Sequence, residues 1–141
     1  MVGQRNKVFM FFDDNLHQLI FFVKIKFNFY RTLIINGINF FFIKYFFQNN
    51  RWEIDFDRLE EQTTPSTRLF MFCNPHNPTG RVYTREELEK LADYVLRHRL
   101  WVLSDELHSD ITFEGQQHIP FASLSDEIAQ RTITLFGPTK T

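Results

Sequence analysis

Residues 68–105 read RLFMFCNPHNPTGRVYTREELEKLADYVLRHRLWVLSD, and the order of signals within them decides the fold. RLFMFC is a short apolar run closed by a turn cluster, the pattern of a buried strand. NPHNPTG holds two Asn-Pro pairs and a glycine, so it is loop. Thr84 with Glu87 three residues later forms a capping box, which opens a helix. Leu88, Leu91, Ala92, Val95 and Leu96 then recur at helical spacing and make one apolar stripe. Arg97, His98 and Arg99 fall in the last turn, where positive charge suits the helix dipole. LWVLSD, residues 100–105, is a second apolar run and a second strand. Strand, helix and strand in about 35 residues make a βαβ unit, which requires a parallel sheet.

Working outward, EIDFDRLEEQT (53–63) predicts a short helix led by Asp55 or Asp57, and TITLFG (132–137) predicts a third strand. The fold class is therefore α/β with a βαβ core. In parallel sheets ligands bind beyond the carboxyl ends of the strands. Three groups of residues stand there: Asn74 to Gly80 after the first strand, Asp105, Glu106 and His108 at the end of the second, and Lys140 after the third. By position alone Asp105 reads either as a turn-capping carboxylate or as a ligand group, and Lys140 as a solvated lysine or a functional one.

Other chemistries fit poorly. A phosphate-binding P-loop ending at Lys140-Thr141 needs glycines where Thr139 and Thr134 stand. His76, His108 and His118, with Cys73 and Asp105, have no zinc-site spacing. Cys73 at the end of a buried strand reads as a small apolar filler. Ser104 lacks the glycines of a nucleophile elbow.

Composition sets the remaining bounds. The 141 residues suit one domain or part of a larger one, and the net charge of −1 points to neither nucleic acid nor an anionic membrane. The single cysteine, Cys73, excludes an internal disulfide and fits a reducing, cytoplasmic setting. Of 18 phenylalanines, 12 lie between Phe9 and Phe47. Lys24, Lys26 and Lys44, with Asn28, Asn36 and Asn39, interrupt every candidate membrane span in that region. Residues 1–48 are therefore read as an atypical Phe/Ile/Lys/Asn-rich segment outside the native domain sequence, and residues 49–141 as the globular part.

At NPHNPTGRVYTREEL, then VLSDELHSD, then TKT, the sequence resembles the fold-type I pyridoxal-phosphate enzymes of the aminotransferase class I/II superfamily. CNPHNPTGRVYTREEL and SDELHSDI are most similar to the MalY/PatB-type cystathionine β-lyases. The resemblance implies that residues 49–141 are part of the large cofactor-binding domain. It implies that Lys140 carries the cofactor as a Schiff base, that Asp105 pairs with the pyridine nitrogen, and that Asn77 hydrogen-bonds the phenolic oxygen, with His108 near the same oxygen. His76 would stack or line the pocket. An amino-acid substrate, sulfur-containing for a β-lyase, and a homodimeric intact enzyme are further implications.

These residue types suit that chemistry. Schiff-base formation needs a neutral lysine, so its surroundings must lower its pKa. A buried aspartate keeps the pyridine nitrogen protonated by charge pairing. β-Elimination to pyruvate, ammonia and a thiol and transamination use the same parts, so an aminotransferase is the competing expectation. Where family members carry Ser or Thr three residues before the lysine, this chain has Gly137, leaving the Thr139 hydroxyl as a substitute phosphate ligand. The third expectation is a fragment that stops one residue past Lys140, inactive as an isolated chain.

Overall fold

A computed structural model describes residues 7–11, 39–43, 45–48, 50–77 and 79–137. Strand β1 is Lys7–Phe11, β2 Asn39–Ile43, β3 Tyr45–Gln48 and β4 Arg51–Ile54. Helix α1 (Phe56–Gln62) leads to β5 (Thr67–Cys73), α2 (Arg85–Arg97) and β6 (Trp101–Asp105). A 3-10 turn at Phe121–Ser123, the short helix α3 (Asp126–Ala129) and β7 (Thr132–Leu135) follow.

Among the described residues, five strands form one sheet in the order β2-β1-β5-β6-β7, and every neighbouring pair runs parallel. The βαβ unit read from the sequence is β5-α2-β6. The Phe-rich N-terminal stretch contributes β1 and β2, with β1 inserted between β2 and β5. Runs of phenylalanine and isoleucine suit a parallel strand, which is covered on both faces and needs no alternating polar residues.

Local chemistry accounts for the boundaries. The side chain of Asp55 caps α1 by accepting from Arg58 N at 2.9 Å. Both bonds of the capping box on α2 are present: Thr84 Oγ1 accepts from Glu87 N, and Glu87 Oε2 accepts from Thr84 N at 2.8 Å. Leu88, Leu91, Ala92, Tyr94 and Val95 are the buried residues of α2, so Tyr94 joins the predicted stripe and Leu96 lies at its margin. They pack with Phe70 and Phe72 of β5, Val102 of β6, Phe121 and Ile128. Phe70 and Tyr94 meet edge to face with centroids 5.7 Å apart. Complete burial of a side chain such as Leu91 contributes about 2 kcal/mol.

The sequence reading contains no hairpin, yet β3 and β4 pair antiparallel, with Asn50 at φ 60° in the turn. Asparagine tolerates that left-handed conformation. The hairpin docks against the start of α2: Arg51 pairs with Glu87 at 2.5 Å, Arg81 bonds both Glu87 and the Trp52 carbonyl, and the Tyr45 and Tyr83 hydroxyls lie 2.6 Å apart.

Candidate active site at the strand mouths

The carboxyl ends of the last three strands are level. Cys73 of β5 is in register with Asp105 of β6, and Asp105 with Leu135 of β7. Two backbone bonds continue the ladder past the strand ends, Asn74 N to Asp105 O and Glu106 N to Leu135 O, each 3.0 Å. Asn74 is completely buried, and its side chain ties two further segments to this edge. Its Oδ1 accepts from Tyr83 N at 3.2 Å, and its Nδ2 donates to Ile119 O at 3.4 Å.

The NPHNPTG loop leaves this edge as a closed turn. Gly80 N donates to His76 O at 2.7 Å and His76 N to Arg81 O at 2.8 Å. Gly80 has φ +69°, a conformation that favours glycine. The buried His76 ring bonds Thr79 Oγ1 through Nδ1 at 2.8 Å and stacks, tilted, on Tyr45 at 4.8 Å. Asn77 lies inside this closed turn and is half-buried. Cys73 is buried, and its thiol donates to Pro75 O at 3.1 Å.

Asp105 is half-buried at the mouth of β6. Its Oδ1 accepts from Leu107 N at 3.3 Å, and among the described residues Oδ2 takes no hydrogen bond. His108 is half-buried in the turn that follows, where its carbonyl accepts from Ile111 N at 2.9 Å. Asn77, Asp105 and His108 thus share one edge of the sheet. Lys140 and Thr139 lie outside the described residues. Gly137 is described, and a Cβ there would come within 2.9 Å of Leu107 Cδ2. A serine or threonine at 137 would therefore require Leu107 to move.

The sequence reading assigned no role to the pairing of Glu106 with His118. Glu106 is only 3% exposed, and its carboxylate accepts from Ser104 Oγ at 2.8 Å, Phe121 N at 3.1 Å and His118 Nε2 at 2.9 Å. Burial pushes the Glu106 carboxyl up, but the bonds from His118, Ser104 and Phe121 N outweigh it and hold it below the usual carboxylate range. The available signal was alternation: Val102, Ser104 and Glu106 share one buried face, while Leu103 and Asp105 share the other.

The comparisons agree with this architecture. The profile described as Aminotransferase class I and II matches residues 5–140. Cystathionine beta-lyase PatB of Bacillus subtilis is 47% identical over 95 residues, which cover 67% of this chain and 24% of that protein. Aromatic-amino-acid aminotransferase 2 of Thermococcus litoralis is 39% identical over 95 residues, with the same two coverages, 67% and 24%. The PLP-bound C-S lyase of Staphylococcus hominis superposes with a TM-score of 0.77 at 30% identity, over 98% of this chain and 32% of that one. The chain thus spans about a quarter of the length of the curated relatives it matches. Its parallel sheet, its level strand mouths and a profile match over nearly its whole length lead to one assignment: the chain belongs to the aminotransferase class I and II family, whose enzymes depend on pyridoxal phosphate.

Proposed function

We propose that this chain carries part of the pyridoxal-phosphate site of a carbon–sulfur β-lyase acting on a sulfur-containing amino acid. The observation that carries this reading is the Asn74–Asp105 backbone bond. It joins the end of β6 to the start of the loop that holds Asn77, so an amide and a carboxylate share one strand edge. The donor set fits the cofactor, because Oδ2 of Asp105 has no partner among the described residues and can accept an N–H from outside the chain.

Bound pyridoxal phosphate supplies an electron sink, which is effective while its ring nitrogen stays protonated. Asp105 would hold that proton by charge pairing. Asn77 would donate its amide N–H to the phenolic oxygen, with His108 beside it. Lys140 would carry the cofactor covalently. Its amine, when neutral, would take the proton from the substrate's α-carbon as general base. The products of such an elimination would be a thiol from the β-carbon substituent and, after hydrolysis of the remainder, pyruvate and ammonia. The 47% identity to a cystathionine β-lyase supports elimination over transamination, while the 39% identity to an aminotransferase keeps the second reading in play.

The test is spectroscopic first and chemical second. Pyridoxal phosphate added to the chain should give the visible absorbance of a lysine-bound cofactor, and Lys140→Ala should abolish it. An unchanged band in Lys140→Ala would sink the site assignment. In a protein that turns over, pyruvate, ammonia and thiol from cystathionine identify the lyase. A keto acid with an aminated acceptor identifies the transaminase.

A further inference from the structure

The buried pair of Glu106 and His118 lies directly behind the candidate cofactor-binding edge, yet nothing in the reaction just described uses it. Glu106 follows Asp105, and strand alternation sends the two side chains to opposite faces. Asp105 belongs to the face with Leu103, and Glu106 to the core face with Val102 and Ser104. The His118 side chain is 9% exposed, and its Nδ1 has no hydrogen-bond partner among the described residues. A carboxylate only accepts, so the proton of this bond sits on His118 Nε2. The pair therefore uses one defined nitrogen of the ring.

The connectivity says what the pair holds. Glu106 Oε1 accepts from Ser104 within β6 and from Phe121 N at the start of the 3-10 turn, and Oε2 accepts from His118. Asn74 Nδ2 reaches Ile119 O from the end of β5. Segment 118–121 is thus fastened to two strand ends at once. Between the fastenings runs an excursion that begins with the turn bearing His108 and carries the exposed Phe113, which lies against Gly80 of the NPHNPTG loop. No other side-chain hydrogen bond joins segment 118–121 to β6 among the described residues.

We propose that Glu106 and His118 are positioning residues: by fastening segment 118–121 to the back of β6, they fix the strand end from which Asp105 meets the cofactor's ring nitrogen. The proposal rests on the pyridoxal-phosphate reading of Asp105. A merely structural pair would affect stability alone. A positioning pair must also affect how Asp105 engages its ligand, and the effect must disappear when Asp105 cannot engage it.

The experiment is a titration of the chain with pyridoxal phosphate, read as a dissociation constant by absorbance, for His118→Leu, His118→Gln, Asp105→Asn and the His118→Leu/Asp105→Asn double variant. The Gln side-chain amide can still donate to Glu106. His118→Leu should weaken binding by about tenfold, the equivalent of one lost charged hydrogen bond, and His118→Gln should restore most of the affinity. In the Asp105→Asn background the His118→Leu penalty should vanish, because coupled residues are not additive. Unchanged affinity in His118→Leu, or an undiminished penalty in the Asp105→Asn background, overturns the positioning role while leaving the cofactor reading intact. Absence of binding by the unsubstituted chain overturns both. Should His118→Leu lose its cooperative thermal transition, Glu106→Gln carries the same cycle with the same expectation.

Discussion

Glu106 shows how much one side chain can be asked to do at the mouth of a strand. Its carboxyl is held below the usual range against the upward push of burial, so it remains an anion and an acceptor for three donors. The pH consequence has a definite sign. The unfolded chain titrates this group at about 4.3, and the folded chain titrates it lower. The resulting stability is fully present above the unfolded value and is lost as pH falls through the folded one. Glu106→Gln should therefore be destabilised by about 2 kcal/mol at neutral pH, with the gap to the unsubstituted chain narrowing below about pH 4. Urea midpoints measured at neutral and acid pH check this, and a gap that stays constant with pH would contradict the paired-anion account. The identities of Asn77, Asp105 and Lys140 as candidates were legible from spacing and resemblance. The Glu106–His118 pair was not, because its members are 12 residues apart and no local pattern links a strand end to a later loop.

Helix α2 is the element whose reading and structure agree most closely. Its capping box, apolar stripe and basic last turn all act within a few residues of one another, so sequence spacing alone displays them. Thr84→Ala removes the acceptor for Glu87 N and should cost about 1 kcal/mol, seen as a thermal midpoint lowered by about 4 °C. Glu87 has a second task that the sequence hides, since its carboxylate also receives Arg81 and Arg51. Burial raises the Glu87 carboxyl, and the bonds from Arg81 and Thr84 N outweigh it, so the group is held low. The hairpin β3-β4 was missed for a related reason. Its strands are short, and much of its anchoring comes from Tyr83, Arg81 and Glu87, which lie 29 to 38 residues after their partners in the chain.

Across the whole molecule, the parallel sheet both organises the site and leaves an edge. Among the described residues β7 has a neighbour on one side only, and Ile133, Leu135 and Phe136 are exposed along it. An apolar strand edge is a template for pairing with another chain. Ile133→Lys should reduce self-association of the chain, measured by light scattering at matched concentration, without lowering its thermal midpoint. An unchanged scattering profile would place the association elsewhere. By itself the sequence determined the α/β class, the β5-α2-β6 unit and the loop and strand ends where the candidate site residues stand. Those features follow from periodicity, turn residues and the obligatory parallel crossover, all of which are local. Only the tertiary structure decided that the Phe-rich strands β1 and β2 join the same sheet. The same holds for the lacing of Asn74 to Asp105 and of Glu106 to His118. Such partners meet only after the chain has folded, because distant segments choose one another by burial and hydrogen-bond satisfaction rather than by spacing.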